Sequence, residues 1–223
     1  MGAILLDIEG TVSDKRFVAE TLFPYARARI KTFVQAHARE GNVAAGISLM
    51  RAKLGRPDAT AEETGGELER WIDEDRKEEP LKSLQGLIWK EGYDSGELIS
   101  HIYPDVPAAF ERWQSAGKRM AIFSSGSVAA QKLLFAHSGL GDLTRYLSAY
   151  FDLSTGAKIE ASSYTKIAKA LNQKPPDIQF YSDAPAEIEA ARSAGLAASL
   201  VERDGPIAVT TSIRRIKDFS GEQ

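Results

Sequence analysis

Residues 3–14, "AILLDIEGTVSD", run apolar for four positions and then halt on an acid, Asp7. A second carboxylate, Glu9, follows two places on, and Gly10 and Thr11 come next. A short apolar run bounded by such residues reads as a buried strand ending in a turn. Its exit brings two like charges together. Either the acids are ordinary turn residues, or they are held at the strand end to do chemistry.

The rest of the chain gives that strand its setting. From about residue 17 to 100 the texture is helical: "FVAETLFPYARARIKTFVQAHARE" (17–40), "AAGISLMRAKLG" (44–55) and "TAEETGGELERWIDEDRKEEPLKSLQGLIWKEGY" (60–93). Apolar residues recur there at three and four places, as in Ile30, Phe33 and Val34, or Leu81, Leu84, Leu87 and Ile88. From about 105 onward, short apolar runs alternate with helical stretches. "RMAIFSS" (119–125) precedes "SVAAQKLLFAHS" (127–138), and "AYFDLS" (149–154) precedes "SSYTKIAKALN" (162–172). "IQFYSD" (178–183) precedes "APAEIEAARSAG" (184–195), and "AASLVER" (197–203) follows. Strands alternating with helices imply an α/β fold with a doubly wound parallel sheet. "AILLDI" belongs with those strands. The expected organisation is an α/β catalytic core of residues 1–12 and 104–223, with an α-helical cap, 13–103, inserted after the first strand. "YPDVP" (103–107) marks the return to the core.

Composition narrows the function classes. With 43% hydrophobic and 26% charged residues and a formal net charge of -3, the 223-residue chain has no overall basic field for nucleic acid or anionic lipid. It contains no cysteine, which removes disulfides, thiolate metal sites and cysteine nucleophiles. "GAILLDIEG" is too short, and too interrupted by acids, to span a bilayer. The expectation is a cytoplasmic, soluble monomer with no nucleic-acid or membrane partner.

In open α/β sheets, ligands bind beyond the carboxyl ends of the strands. The first strand ends on Asp7 and Glu9, the second on "SSGS" (124–127), the third leads to "STGAKIE" (154–160) with Lys158, and the fourth ends on "SDAPAE" (182–187) with Asp183. Each has a duller explanation: a turn acid, a helix cap, a solvated lysine, an acid capping a helix with Pro185 in its first turn. The dull readings do not explain why all four fall at one edge. Together they make a coherent site. Asp7 would be a carboxylate nucleophile, and Asp7 with Asp183 can supply oxygen ligands to Mg²⁺. Serine hydroxyls and the free N–H groups opening the following helix suit phosphate oxygens. Lys158 can offset charge around a phosphoryl group, and Glu9 is placed to give a proton to a leaving oxygen and take one from water.

These residues resemble the haloacid dehalogenase-type phosphatases, whose cores are Rossmann-like. Within that superfamily the chain is similar to the enolase-phosphatase family of methionine salvage. "DIEGT" (7–11), "FVAETLFPYA" (17–26), "LQGLIWKEGYDSGELISHIYPDVP" (84–107), "IFSSGSVAAQKLLFAHS" (122–138) and "FDLSTGAKIEASSYTKIA" (151–168) carry the resemblance. It implies a phosphorylated diketone substrate, 2,3-diketo-5-methylthiopentyl-1-phosphate, enolised and then dephosphorylated to an acireductone. It implies Asp7 as nucleophile and Mg²⁺ ligand, Glu9 as a contributor to the metal site, Asp183 as the remaining metal ligand, and Ser124, Ser125 and Lys158 as substrate-binding. The chain departs from the family pattern at "VSDKR" (12–16), where a Thr/Pro-rich stretch is expected, at Ser182, where Thr is commoner, and at "ERDGP" (202–206).

A general small-metabolite phosphatase would share the strand-end motifs, and the "LQGLIWKEGYDSGEL" segment argues against it. A phospho-accepting signalling domain would not need a helical insert of this size. A metal-independent dehalogenase would have no use for Glu9 and Asp183. His37, His101 and His137 show no metal-ligand spacing. Trp71, Trp89 and Trp113 read as packing residues, and "DEDRKEEP" (73–80) as a solvated helix face ending at Pro80.

Overall fold

β1 (Ala3–Leu6) stands inside a six-stranded parallel sheet of order β3-β2-β1-β4-β5-β6. The others are β2 (Arg119–Phe123), β3 (Leu147–Phe151), β4 (Ile178–Ser182), β5 (Ala197–Val201) and β6 (Arg214–Ile216). This is a computed structural model, and it describes residues 2–76, 78–208 and 212–222. All four residues of β1 are buried, as expected for a strand covered on both faces. The register sets Leu6 beside Ile122 on one side and Tyr181 on the other. Asp7, Ser124 and Asp183 therefore leave neighbouring strands at one edge, and the Asp7 N–H extends the ladder by donating to the Tyr181 carbonyl (3.0 Å). Because β1 has β2 on one side and β4 on the other, the connections run off in opposite directions from it, leaving a crevice at its carboxyl end.

The chain divides into two units, Met1–Lys15 with Ile99–Gln223 and Arg16–Leu98. The helical unit is thus shorter at both ends than the expected 13–103. The difference has a hydrogen-bonding cause. Tyr103 N–H donates to the Val12 carbonyl (3.0 Å), Ser100 N–H to the His137 carbonyl (2.9 Å), and Asp14 N–H to His101 Nδ1 (3.0 Å), so both hinge segments belong to the sheet-bearing unit.

A single turn, α1 (Lys15–Phe17), and a π-helical turn, Val18–Leu22, lead to α2 (Phe23–Ala36), α3 (Gly41–Leu54), α4 (Ala61–Asp73) and α5 (Glu79–Asp94). Ile30, Val34, Ile47, Met50, Leu68, Trp71, Leu84 and Ile88 make this unit's core, which is the three-and-four spacing of the sequence realised as packed faces. α4 starts on a capping box between Thr60 and Glu63. Trp89 is half-buried and donates its indole N–H to the Leu22 carbonyl (2.8 Å). The reading of 73–80 as one helix face needs correction. α4 stops at Asp73, and Pro80 lies in the first turn of α5, where its missing N–H leaves no bond unmade; Lys77 of that run lies outside the described residues.

In the sheet-bearing unit, α8 (Ala161–Ala170) and α9 (Pro185–Ser193) bring Tyr164, Ile167, Ile188 and Ala191 into a core with Leu5, Phe123, Phe180 and Leu200. α6 (Val106–Ser115) brings Phe110 and Trp113, both fully buried, and α7 (Val128–Ala136) follows β2. The C-terminal segment completes this unit, which the strand pattern did not foretell. Phe219, 0% exposed, has its ring centroid 5.4 Å from Trp113 and 5.2 Å from Tyr181. Glu222 accepts from Tyr181 Oη (2.5 Å) and pairs with Arg214 (2.6 Å). Phe219→Ala is expected to lower unfolding free energy by about 3–5 kcal/mol, read as a shifted urea midpoint at unchanged slope. A loss under about 1 kcal/mol would make the tail an accessory instead of a core element.

Candidate active site

Four strand ends and one helix start build the site. Asp7, 3% exposed, follows the last residue of β1. Lys158, on the loop between β3 and α8, places Nζ 2.5 Å from Asp7 Oδ1 and 2.8 Å from Glu187 Oε2. Its loop is held by the Tyr164 hydroxyl, which donates to the Lys158 carbonyl (2.7 Å). Ser182 ends β4, donates to Glu187 Oε2 (2.8 Å), lies 3.5 Å from Asp7 Oδ2, and accepts the Ala184 N–H (3.1 Å). Asp7, Lys158, Glu187 and Ser182 thus form one buried polar cluster.

Its charges do not balance. Burial pushes the Asp7 carboxyl above the usual range, Lys158 pulls it back, and Asp183 pushes it up further. Burial also raises Glu187, with Asp7 adding to the rise and Lys158 opposing it, to about 7. Burial alone would lower Lys158, but Asp7 and Glu187 outweigh it and hold the ammonium at about 12. One lysine serves several carboxylates, a surplus of negative charge that invites a further cation.

Glu9 stands apart from this cluster. Its Oε2 accepts from Ser124 Oγ (3.3 Å), which itself accepts the Gly126 N–H (3.2 Å). Burial, then the neighbouring Asp7, raises the Glu9 carboxyl. Ser124 is buried and Ser125 exposed on the loop before α7, whose start is capped by Ser127 Oγ accepting the Ala130 N–H (3.2 Å). Gln131 pins this loop by donating to the carbonyls of Gly126 (2.8 Å) and Phe151 (2.9 Å). Asp183 Oδ2 is paired with Lys15 Nζ at 3.0 Å, which raises the lysine's pKa. Gly10 has φ +73°, and a Cβ there would stand 2.2 Å from Asp183 Oδ2, so the glycine is required both for the turn and for the approach of that carboxylate.

The structure therefore gathers Asp7, Lys158 and Glu187 directly, with Glu9–Ser124 and Asp183 flanking them through separate partners. Among the described residues, no group of three or more His, Asp or Glu side chains is arranged to hold a metal ion. Glu187 is not among the residues that the strand-end motifs single out. Its only signal was a second acid in "SDAPAE", in the first turn of α9, where an acid also suits the helix dipole.

The sequence profile of haloacid dehalogenase-like hydrolases matches residues 1–195. The chain is 49% identical over 203 residues to enolase-phosphatase E1 of Methylococcus capsulatus, covering 91% of this chain and 89% of the relative. The chain belongs to the enolase-phosphatase family of haloacid dehalogenase-like hydrolases. Enolase-phosphatase E1 of Klebsiella oxytoca is 46% identical over 223 residues, 99% of this chain and 97% of that one. The crystal structure of the UTR4 protein of Saccharomyces cerevisiae superposes with a TM-score of 0.85 at 34% identity, covering 99% of each chain. L-2-haloacid dehalogenase of Xanthobacter autotrophicus, at TM-score 0.54 and 20% identity over 91% of this chain and 78% of that one, shares the fold alone. Among the described residues, no helix is long and apolar enough to cross a membrane.

Proposed function

We propose that this chain is a Mg²⁺-dependent enolase-phosphatase acting in the cytoplasm. It enolises 2,3-diketo-5-methylthiopentyl-1-phosphate and then removes the phosphate, yielding the acireductone 1,2-dihydroxy-3-keto-5-methylthiopentene for methionine salvage. The observation that carries the phosphoryl half is the buried Lys158–Asp7 pair at the sheet's carboxyl edge. The enolisation half is supported by the relatives named enolase-phosphatase.

The donor set suits Mg²⁺. Asp7 and Asp183 are hard oxygen donors close enough to repel. Glu9, in the turn closed by the Gly10 N–H donating to the Ser13 carbonyl (2.7 Å), would supply a third oxygen. Mg²⁺ keeps several waters and is held by one or two carboxylates plus substrate phosphate, so a site without three side-chain ligands agrees with that ion. When bound, the ion supplies positive charge against an anionic phosphoryl group and acidifies hydrogens beside keto oxygens.

The chain's own residues divide the remaining work. Asp7 attacks phosphorus while the bond to the ester oxygen breaks, and Glu9, whose raised pKa favours a retained proton, gives it to the leaving oxygen. Lys158 keeps Asp7 oriented and offsets charge on the phosphoryl oxygens. Ser124 and the N–H groups opening α7 bind those oxygens. Glu9 then takes a proton from water, which attacks the phosphorus of the aspartyl-phosphate and restores Asp7. Ser125, exposed on the same loop, contacts substrate.

The test follows the ultraviolet spectrum of the diketo phosphate with enzyme and Mg²⁺, alongside phosphate release. A transient enol absorbance followed by phosphate is expected. Glu9→Gln is expected to slow phosphate release by roughly 10²–10⁴-fold while enol absorbance accumulates. Phosphate release from simple esters with no turnover of the diketone would make the chain a general phosphatase.

A further inference from the structure

Lys15, in the turn that leads away from β1, reaches the Asp183 carboxylate. It belongs to "VSDKR" (12–16), the run that follows Gly10 and Thr11. Its Nζ lies 3.0 Å from Asp183 Oδ2, with the two side chains 53% and 19% exposed. The same oxygen faces Gly10, where even a methyl group would collide at 2.2 Å. Asp183 Oδ2 therefore has backbone on one side and an ammonium on another. Lys15, Asp183, Arg203 and Asp204 line a cavity of about 230 Å³. Arg203 is tied down there: Nε donates to the Thr11 carbonyl (3.0 Å), and its two terminal nitrogens pair with Asp105 (2.8 and 3.0 Å). Lys15, on a flexible four-carbon stem, is half exposed and faces Asp204 and Asp14 besides Asp183.

We infer that Lys15 is an internal counter-ion for Asp183 that a divalent cation must displace, so that metal loading and the Lys15–Asp183 pair are alternatives at one carboxylate. The inference rests on Asp183 being a metal ligand. An ammonium and a divalent ion repel across the few ångströms between neighbouring positions on one carboxylate. A pair this exposed is weak, so displacing it is feasible. Asp204, lining the same cavity, offers Lys15 a second partner. Before metal arrives, the lysine offsets charge on an acid that repels Asp7. The consequence is a divalent affinity lower than the same site would have without Lys15.

Titration with Mn²⁺, the free ion followed by electron paramagnetic resonance without substrate, tests this directly. Lys15→Met is expected to bind roughly three- to tenfold tighter than the parent, as pairing and repulsion are both removed. Lys15→Arg retains the charge and is expected within about twofold of the parent. Equal or weaker binding by Lys15→Met would overturn the inference while leaving the metal site intact. Asp183→Asn is expected to lose binding; if it binds like the parent, Asp183 is no ligand and the inference falls with that assignment. If neither parent nor Lys15→Met binds Mn²⁺ at millimolar concentration while both stay folded by circular dichroism, the metal reading itself fails.

Discussion

Asp7→Asn is expected to reduce phosphate release by roughly 10⁴-fold or more, with thermal stability unchanged or raised. The amide has the volume of the carboxylate, and its oxygen can still accept from Lys158, so the cluster at the end of β1 keeps its shape. It cannot form the aspartyl-phosphate. The stability expectation follows from burial. Asp7 is 3% exposed, and burial together with Asp183 works against its ionised form, so removing one negative charge relieves an unfavourable burial of charge. Single-turnover phosphate release and a melting curve on the same sample separate the two effects. Substantial turnover by the variant would refute the nucleophile assignment. A large loss of melting temperature would mean that Asp7 is needed to hold Lys158 in place.

Lys158→Ala is expected to cost about 10²–10³-fold in kcat and to alter stability in a pH-dependent way. Without Nζ, Asp7 and Glu187 face each other with no lysine between them. Glu187 already titrates at about 7, above the 4.5 of a free glutamate. Between those values the folded chain binds a proton that the unfolded chain does not, so this group's contribution to stability falls as pH rises from about 4.5 to 7. Removing the cation that opposes the shift widens that window upward. The variant is therefore expected to melt higher at pH 5 than at pH 8, by a larger margin than the parent. Equal margins would show that Lys158 does not govern the carboxylates it touches. An unchanged kcat would move it out of the catalytic machinery.

Much of this architecture could be read locally. "AILL", "RMAIF", "IQFYS" and "AASLV" are apolar runs too short for helices and bounded by turn residues, and all four are strands. β6 escaped notice because its three residues, "RRI", lie at the sheet edge and are mostly exposed, so no apolar pattern marks them. Pro80 was misread because proline ends one helix and begins another with equal ease, and only the backbone tells which. Glu187 had a local role as an acid in a helix's first turn, and that role masked its contact with a lysine on another loop.

The alternation of periods implies a parallel sheet with the strands' carboxyl ends at one edge, so Asp7, Ser124 and Asp183 are legible in the sequence as residues of that edge, and β2, β1 and β4 are indeed neighbours. Which side chains touch is not legible there. Asp7 and Lys158 are 151 positions apart, and their 2.5 Å contact depends on how far the loop after β3 folds back over β1. The same holds for Asp183, which pairs with Lys15 instead of with Lys158. Periodicity reports which face of an element is buried, because burial is an average over the element. A contact between two charged groups depends on ångström-scale placement, and that is set by register, loop closure and packing of the whole core.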